Sequence, residues 1–282
     1  MSLAPIVLFT YNRLWHTKQT IEALQKNELA NESELFIYSD GGKNEESWGK
    51  VHEVREYLKT IQGFKNITII EQEKNLGLAD SIISGVTKIV NQYGKIIVLE
   101  DDIVTSPYFL RFMNDALDFY ENEEKVMTVS GYSNIEIPKN YKYKVYFAHI
   151  SSSWGWATWK EKWNIVRWDN EPYVELLKNN ELLKRFEKKV GMQRIKMLKM
   201  QMEGKLDSWA VRRLFSQLIQ KKMTIFPYKT FVKNIGFDGT GVHCGKNINF
   251  DSTNMVSLEK INTLIHFFED SEIHRVIYEK NK

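Results

Sequence analysis

The sequence predicts an α/β fold, with a mostly parallel central sheet flanked by helices and a mixed second half. Three observations carry this expectation. Short apolar runs alternate with longer amphipathic stretches up to about residue 125. Polar or acidic residues stand at the ends of four of these runs. Beyond them the pattern changes to an aromatic cluster, a Lys-rich helical stretch and a few short apolar runs.

Pro5–Phe9 reads as the first buried strand. Asn12 offers an N-cap to a helix with Leu14, Ile21 and Leu24 at roughly helical spacing. Leu35–Tyr38 is a second strand, ending at Ser39-Asp40-Gly41-Gly42. Trp48–Ile61 reads as a helix and Ile67–Ile70 as a third strand. Asn75-Leu76-Gly77 leads into a helix over Asp80–Tyr93. Lys95–Leu99 is a fourth strand that runs into Glu100-Asp101-Asp102, and Ser106-Pro107 opens another helix. In the second half Val126–Tyr132 and Val145–Ala148 read as strands. A helical region runs from about Tyr173 to Lys222, followed by short strands near Met223–Phe226 and Thr230–Val232. Ser271–Lys280 reads as a terminal helix.

Composition narrows the classes. Of 282 residues, 43% are hydrophobic and 27% charged, which excludes disorder, collagen and coiled coil. The net charge of +3, from 39 basic and 36 acidic residues, gives no reason to expect a nucleic-acid partner. A single cysteine, Cys244, excludes an internal disulfide framework and any cysteine-based zinc cluster. Neither a signal peptide nor a transmembrane segment is expected, and a reducing, cytoplasmic setting fits.

Parallel sheets bind ligands at the carboxyl ends of their strands, where strand order switches. Thr10–Arg13, Asp40, Asn75 and Asp102 all fall at such ends. Glu100-Asp101-Asp102 places three acids after an apolar strand, where like charges repel unless something neutralises them. An oxygen-rich site of this kind suits Mg²⁺ or Mn²⁺ bridging a diphosphate. A solvated acidic turn is the bland alternative.

The succession Thr10-Tyr11-Asn12-Arg13, Ser39-Asp40-Gly41, Asn75-Leu76-Gly77 and Val98-Leu99-Glu100-Asp101-Asp102 resembles that of GT-A (Rossmann-like) fold glycosyltransferases. The Glu-Asp-Asp form, with Leu206-Asp207-Ser208-Trp209, resembles the branch that contains N-acetylglucosaminyltransferase I. The run Ser153-Trp154-Gly155-Trp156-Ala157-Thr158-Trp159 resembles bacterial sugar transferases. The likeness implies one domain over residues 1–282, with a nucleotide-sugar half to about 125 and an acceptor half from about 126. It also implies a hexosyltransferase that uses a nucleotide-sugar donor, UDP-linked, and a glycan or glycolipid acceptor. A role in bacterial surface polysaccharide or glycoconjugate synthesis follows by the same likeness.

Roles carry over by position. Thr10, Tyr11, Asn12 and Arg13 would line the nucleotide pocket, and Asp40 would accept from base or ribose. Asn75 and Gly77 would sit beside the donor, with Asp80 in reach. Asp102 is the implied metal ligand, while Glu100 and Asp101 would hold sugar or ribose hydroxyls. Asp207 is the implied general base of an inverting transfer. Trp154 and Trp156 offer a sugar platform, and His243 a further metal ligand.

Each residue also has a plain reading. Arg13 could start a surface helix, and Asp80 could sit exposed in a helix's first turn. Asp207 could be an N-cap, the tryptophans a packed corner, and His243 structural. The stretch Lys184–Lys205, with Met192, Met197, Met200 and Met202, could touch anionic lipid peripherally at the inner face of a membrane, or be a solvated helix face. Two other functions compete: a non-catalytic sugar- or nucleotide-binding module, and a metal-dependent phosphohydrolase. The latter lacks a second dense set of His and Asp ligands.

Overall fold

Strand and helix alternate through the first half, as its apolar periodicity requires. The order is β1 (Ile6–Thr10), α1 (Leu14–Gln25), β2 (Glu34–Ser39), α2 (Glu45–Leu58), β3 (Asn66–Glu71), α3 (Leu78–Tyr93) and β4 (Lys95–Glu100). Then come β5 (Ile103–Thr105), α4 (Phe109–Phe119), β6 (Val126–Ser130), β7 (Val145–Ala148), β8 (Trp156–Trp159) and α5 (Lys160–Asn164). Helices α6 (Glu171–Lys178), α7 (Asn180–Val190), α8 (Met192–Met202) and α9 (Trp209–Ile219) precede β9 (Met223–Pro227) and β10 (Val232–Asn234). This computed structural model describes residues 2–239 and, beyond them, Leu264, Asp270, Ile273, Val276, Ile277 and Glu279.

Eight strands form one sheet in the order β3-β2-β1-β4-β8-β6-β9-β7. The pairs β2–β3, β1–β2, β1–β4 and β6–β9 are parallel, and β8 and β7 run against their neighbours. The result is the mostly parallel sheet that the sequence predicts, with the mixed part in the second half. The chain builds from β1 out to β3, then returns across β1 to β4. Strand order therefore switches between β1 and β4, and open α/β sheets bind ligands outside the carboxyl ends of strands at such a switch.

Alternate residues of each strand enter different cores, as the pleat demands. Ile6, Leu8, Leu35, Ile37, Ile97 and Leu99 pack on the face covered by α1, α2 and α4. Val7, Phe9, Phe36, Tyr38, Ile96 and Val98 pack on the face covered by α3 and the start of α9. With both faces covered, these strands read as unbroken apolar runs. A third core joins Tyr146, Ala148 and Phe226 to α6–α9.

The long helical region expected over 173–222 is four helices. Asn179 stops α6 and caps α7, accepting from the Leu182 backbone N–H at 3.0 Å. Gly191, at φ +84°, separates α7 from α8, because a left-handed backbone ends a right-handed helix. Strand β8 was not expected: the tryptophan run hid a four-residue strand buried between β4 and β6. Among the described residues, no helix is long and apolar enough to cross a membrane.

Candidate functional site

The β1–β4 switch gathers the acidic turn and the residues after β1. Phe9 of β1 is in register with Glu100 of β4, so the two strands end together. Arg13 then turns inward. Its Nη2 donates to Asp101 Oδ1 and, at 2.8 Å, to Asp102 Oδ2, while its Nε reaches Asp101 Oδ2 at 3.4 Å. Burial alone would lower the Arg13 pKa, but Asp101 and Asp102 together hold it above its ordinary value. Arg13, not Asn12, is the N-cap residue of α1, and its side chain does not cap the helix because the acids hold it. Tyr11 and Asn12 are partly buried beside it, and Thr10 is buried.

Asp101 and Asp102 are themselves buried. Thr20 donates to the Asp101 carbonyl at 2.8 Å, and the Ile235 N–H to the Asp102 carbonyl at 2.9 Å. That second bond follows from the β5–β10 ribbon, which lays residues 232–236 against the turn. Gly236 comes so close that an added Cβ would lie 2.2 Å from Asp102 Oδ2. Only glycine allows that approach. Burial, then the charges of Asp102 and Asp101, push Glu100 up to about 8, against the pull of Arg13 and Arg213. Burial also raises Asp101, against Arg13.

Asp40 is occupied differently from the expectation. Its Oδ1 accepts from the Gly41 and Leu76 N–H groups, both at 2.9 Å. Its Oδ2 accepts from Asn75 Nδ2 at 3.0 Å and from the Gly77 N–H at 3.1 Å. Four protein donors fill a carboxylate's lone-pair sites, so none is left for a base or ribose. Asp40 instead fixes the Asn75–Gly77 loop, with Gly77 at φ +80° as it enters α3. Asp80 stands exposed in the first turn of α3.

The tryptophans divide. Trp154 is partly buried, with edge contacts to Tyr132 at 4.3 Å and Phe237 at 5.5 Å. Trp156 is only 1% exposed, stacked on Trp163 at 5.6 Å and on Trp209 at 5.3 Å. The expected platform at Trp156 is therefore covered on its ring faces by other indoles. Trp209 and Arg213, one turn apart on α9, bring that helix to the acidic turn. Arg213 is 1% exposed, with its guanidinium carbon 4.1 Å from the Trp156 ring centre. Burial pulls it down to about 9, and Glu100 opposes that. Asp207 precedes α9 with a side chain 67% exposed and pairs with Arg212 at 3.2 Å. Ser208, not Asp207, is the N-cap: its hydroxyl accepts from the Val211 N–H at 3.3 Å.

The expected metal meets a mixed fit. Carboxylate oxygens are the right donors for Mg²⁺ or Mn²⁺. Among the described residues, no three His, Cys, Asp or Glu side chains converge as a ligand set. Asp102, with one oxygen held by Arg13, can supply one protein ligand, as suits an ion that takes its remaining ligands from phosphate and water. His243 lies outside the described residues, as does Cys244.

Sequence reasoning did not single out Arg213, Gly236 or His16. The last is buried and faces Asp238 at 3.1 Å. The one available signal was helical: Trp209 and Arg213 are four apart and share a face.

No curated protein matches the chain. Among solved structures, the mannosyltransferase PcManGT of Pyrobaculum calidifontis, in complex with GDP-Man and Mn²⁺, is 12% identical with a TM-score of 0.38, covering 56% of this chain and 44% of that one. TarS 1-349 of S. aureus is 12% identical with a TM-score of 0.46, covering 82% and 59%. The same protein in complex with UDP-GlcNAc gives 14% and 0.33, covering 49% and 37%. The chain thus spans less than two thirds of each. The Glycosyl transferase family 2 model matches residues 6–177, from β1 to the end of α6. That stretch is more than half of the sequence and contains the whole acidic turn, so the chain belongs to glycosyltransferase family 2.

Proposed function

We propose that this chain transfers a sugar from a nucleotide donor, a UDP-sugar, to a hydroxyl of a glycan or glycolipid acceptor, with inversion. The observation that supports this most is the meeting of Arg13, Asp101 and Asp102 at the strand switch of a family 2 chain. On this reading one domain has a nucleotide-sugar half to about residue 125 and an acceptor half beyond. Thr10, Tyr11 and Asn12 border the nucleotide. Asp40 serves indirectly, by holding the Asn75–Gly77 loop against it.

Asp102 would hold Mn²⁺ or Mg²⁺, with His243 as a further ligand. When bound, the ion supplies positive charge against the leaving nucleoside diphosphate. Arg13 keeps Asp101 and Asp102 fixed. Asp207 is the base: as the acceptor oxygen bonds to the anomeric carbon, a carboxylate oxygen of Asp207 takes its proton. The bond from that carbon to phosphate oxygen breaks, and the nucleoside diphosphate leaves with the electron pair. Arg212, 3.2 Å away, orients Asp207. The closer likeness to the N-acetylglucosaminyltransferase I branch rests on Glu100-Asp101-Asp102 and Leu206–Trp209.

A lipid-linked acceptor of bacterial surface glycans would place the enzyme in the cytoplasm at the inner membrane face. Residues 180–202 carry seven Lys and Arg against two Glu, a net +5 in a chain of +3. Met192 and Met200, 44% and 42% exposed, lie among these charges. A basic face with exposed apolar side chains suits an anionic bilayer surface.

The test is a calorimetric titration with UDP, GDP, CDP and TDP, with and without Mn²⁺. Metal-dependent binding of one nucleotide, lost in Asp102→Ala, is the expected result. Binding of none would sink the proposal. Asp207→Asn should then bind donor as before and lose transfer by about 10²–10⁴-fold.

A further inference from the structure

Arg213 is a buried cation with spare donors. Its Nη2 donates to the Ser152 carbonyl at 2.7 Å. Its Nε and Nη1 are buried and have no hydrogen-bond partner among the described residues. The Trp156 Nε1, beneath the same guanidinium, is likewise unpartnered. Unmade hydrogen bonds of buried charged groups are costly, and a folded chain seldom leaves several together without a use for them.

Glu100, at the end of β4, is the carboxylate whose charge reaches Arg213. No ion pair joins the two, so a gap wider than ion-pair distance separates their charged atoms. Position explains why they stay apart. Trp156 is in register with Val98, two residues before Glu100, so its ring marks the end of β4. Arg213 lies over that ring and also over Trp209, at 4.1 Å and 4.9 Å from the two ring centres. The two indoles stack on each other and fix the guanidinium from below. The arginine is held by aromatic faces rather than drawn into the carboxylate.

A group that fits between them must accept from Arg213 and donate to Glu100. A hydroxyl does both. Water does too, but the gap lies at the strand switch and at the start of α9, directly after Asp207, the proposed base. The transferred sugar must sit between that base and the acidic turn. We propose that Arg213 and Glu100 bracket one hydroxyl of the transferred sugar, and that Arg213 determines which sugar is accepted. The inference rests on the donor-site reading above and names a residue for sugar choice within it.

The experiment separates the sugar from the nucleotide. Wild type, Arg213→Met and Arg213→Lys are titrated, with Mn²⁺, with UDP and GDP and with their glucose, galactose, N-acetylglucosamine and mannose derivatives. Monodeoxy forms of whichever sugar nucleotide binds best follow. In wild type the sugar should add affinity over the bare diphosphate, and deletion of one hydroxyl should cost about 10- to 100-fold, as for a hydrogen bond to a charged group. Arg213→Met should keep diphosphate affinity, lose the sugar's increment by the same factor and become insensitive to that deletion. Lysine, without the planar fork, should recover only part.

An unchanged sugar increment in Arg213→Met overturns the inference and leaves the donor site standing. A parallel loss for diphosphate and sugar nucleotide also overturns it, since Arg213 is then structural. If Arg213→Met does not fold, the deoxy series on wild type and Arg213→Lys decides: deletions that cost nothing place water in the gap. Failure of wild type to bind any diphosphate removes the donor-site reading itself.

Discussion

Arg13 and Arg213 approach the acidic turn from the two opposite faces of the sheet, one from the start of α1 and one from α9. Arg13 pairs with two carboxylates. Among the described residues Arg213 pairs with none, and it rests on two indoles. The first arrangement spends the cation on the protein, and its product is a rigid turn. The second keeps donors unspent, and its product is a place for something else. An arginine near an acidic motif is thus no single signal: its partners decide whether it holds the motif or faces a ligand.

Substitutions can break this contrast. The largest effect should come from Arg13→Ala, which strands two buried carboxylates. A loss of about 3–5 kcal/mol is expected in denaturant unfolding. Arg213→Met should cost less than half of that, because an apolar side chain of similar length replaces a cation without an ion pair. Equal losses would erase the distinction.

The pH dependence comes next. Glu100 is raised from 4.5 to about 8, so the folded chain keeps a proton that the unfolded chain gives up. Its contribution is fully present below the unfolded value and is lost as pH rises through about 8. The metal-free protein should lose Tm across that window, and Glu100→Gln, which still faces Asp101, Asp102, Arg13 and Arg213, should flatten the slope. Thermal melts from pH 5 to pH 9 measure it.

The smallest effects lie at the head of α9. Ser208→Ala should cost about 1 kcal/mol by loss of its cap. Asp207→Ala should cost under about 0.5 kcal/mol, since its own side chain is 67% exposed. A larger cost at Asp207 than at Ser208 would return Asp207 to a structural role.

Much of the fold was legible because parallel strands covered on both faces leave unbroken apolar runs, and β1 to β4 are such strands. Strand β8 was not, because Trp156 and Trp159 resemble a binding cluster as readily as a core strand. The acidic turn was legible as concentrated charge. Asp40 was legible as a strand-end acid but not as a filled one, since its donors are backbone N–H groups that sequence does not mark. Arg213 was illegible for a similar reason. Its neighbours come from β8 and the segment at Ser152, far away in the chain.

Trp163, Trp156 and Trp209 stack with neighbouring centroids 5.6 and 5.3 Å apart, and Trp168 tilts against Trp163 at 4.8 Å. Four of the eight tryptophans thus sit in one column, with the Arg213 guanidinium against Trp156 and Trp209. Indole emission responds to nearby charge and polarity. A polar group that enters beside Arg213 should therefore change the colour and yield of the whole column at once. The chain carries its own optical gauge of the gap, readable without label and fast enough for stopped flow.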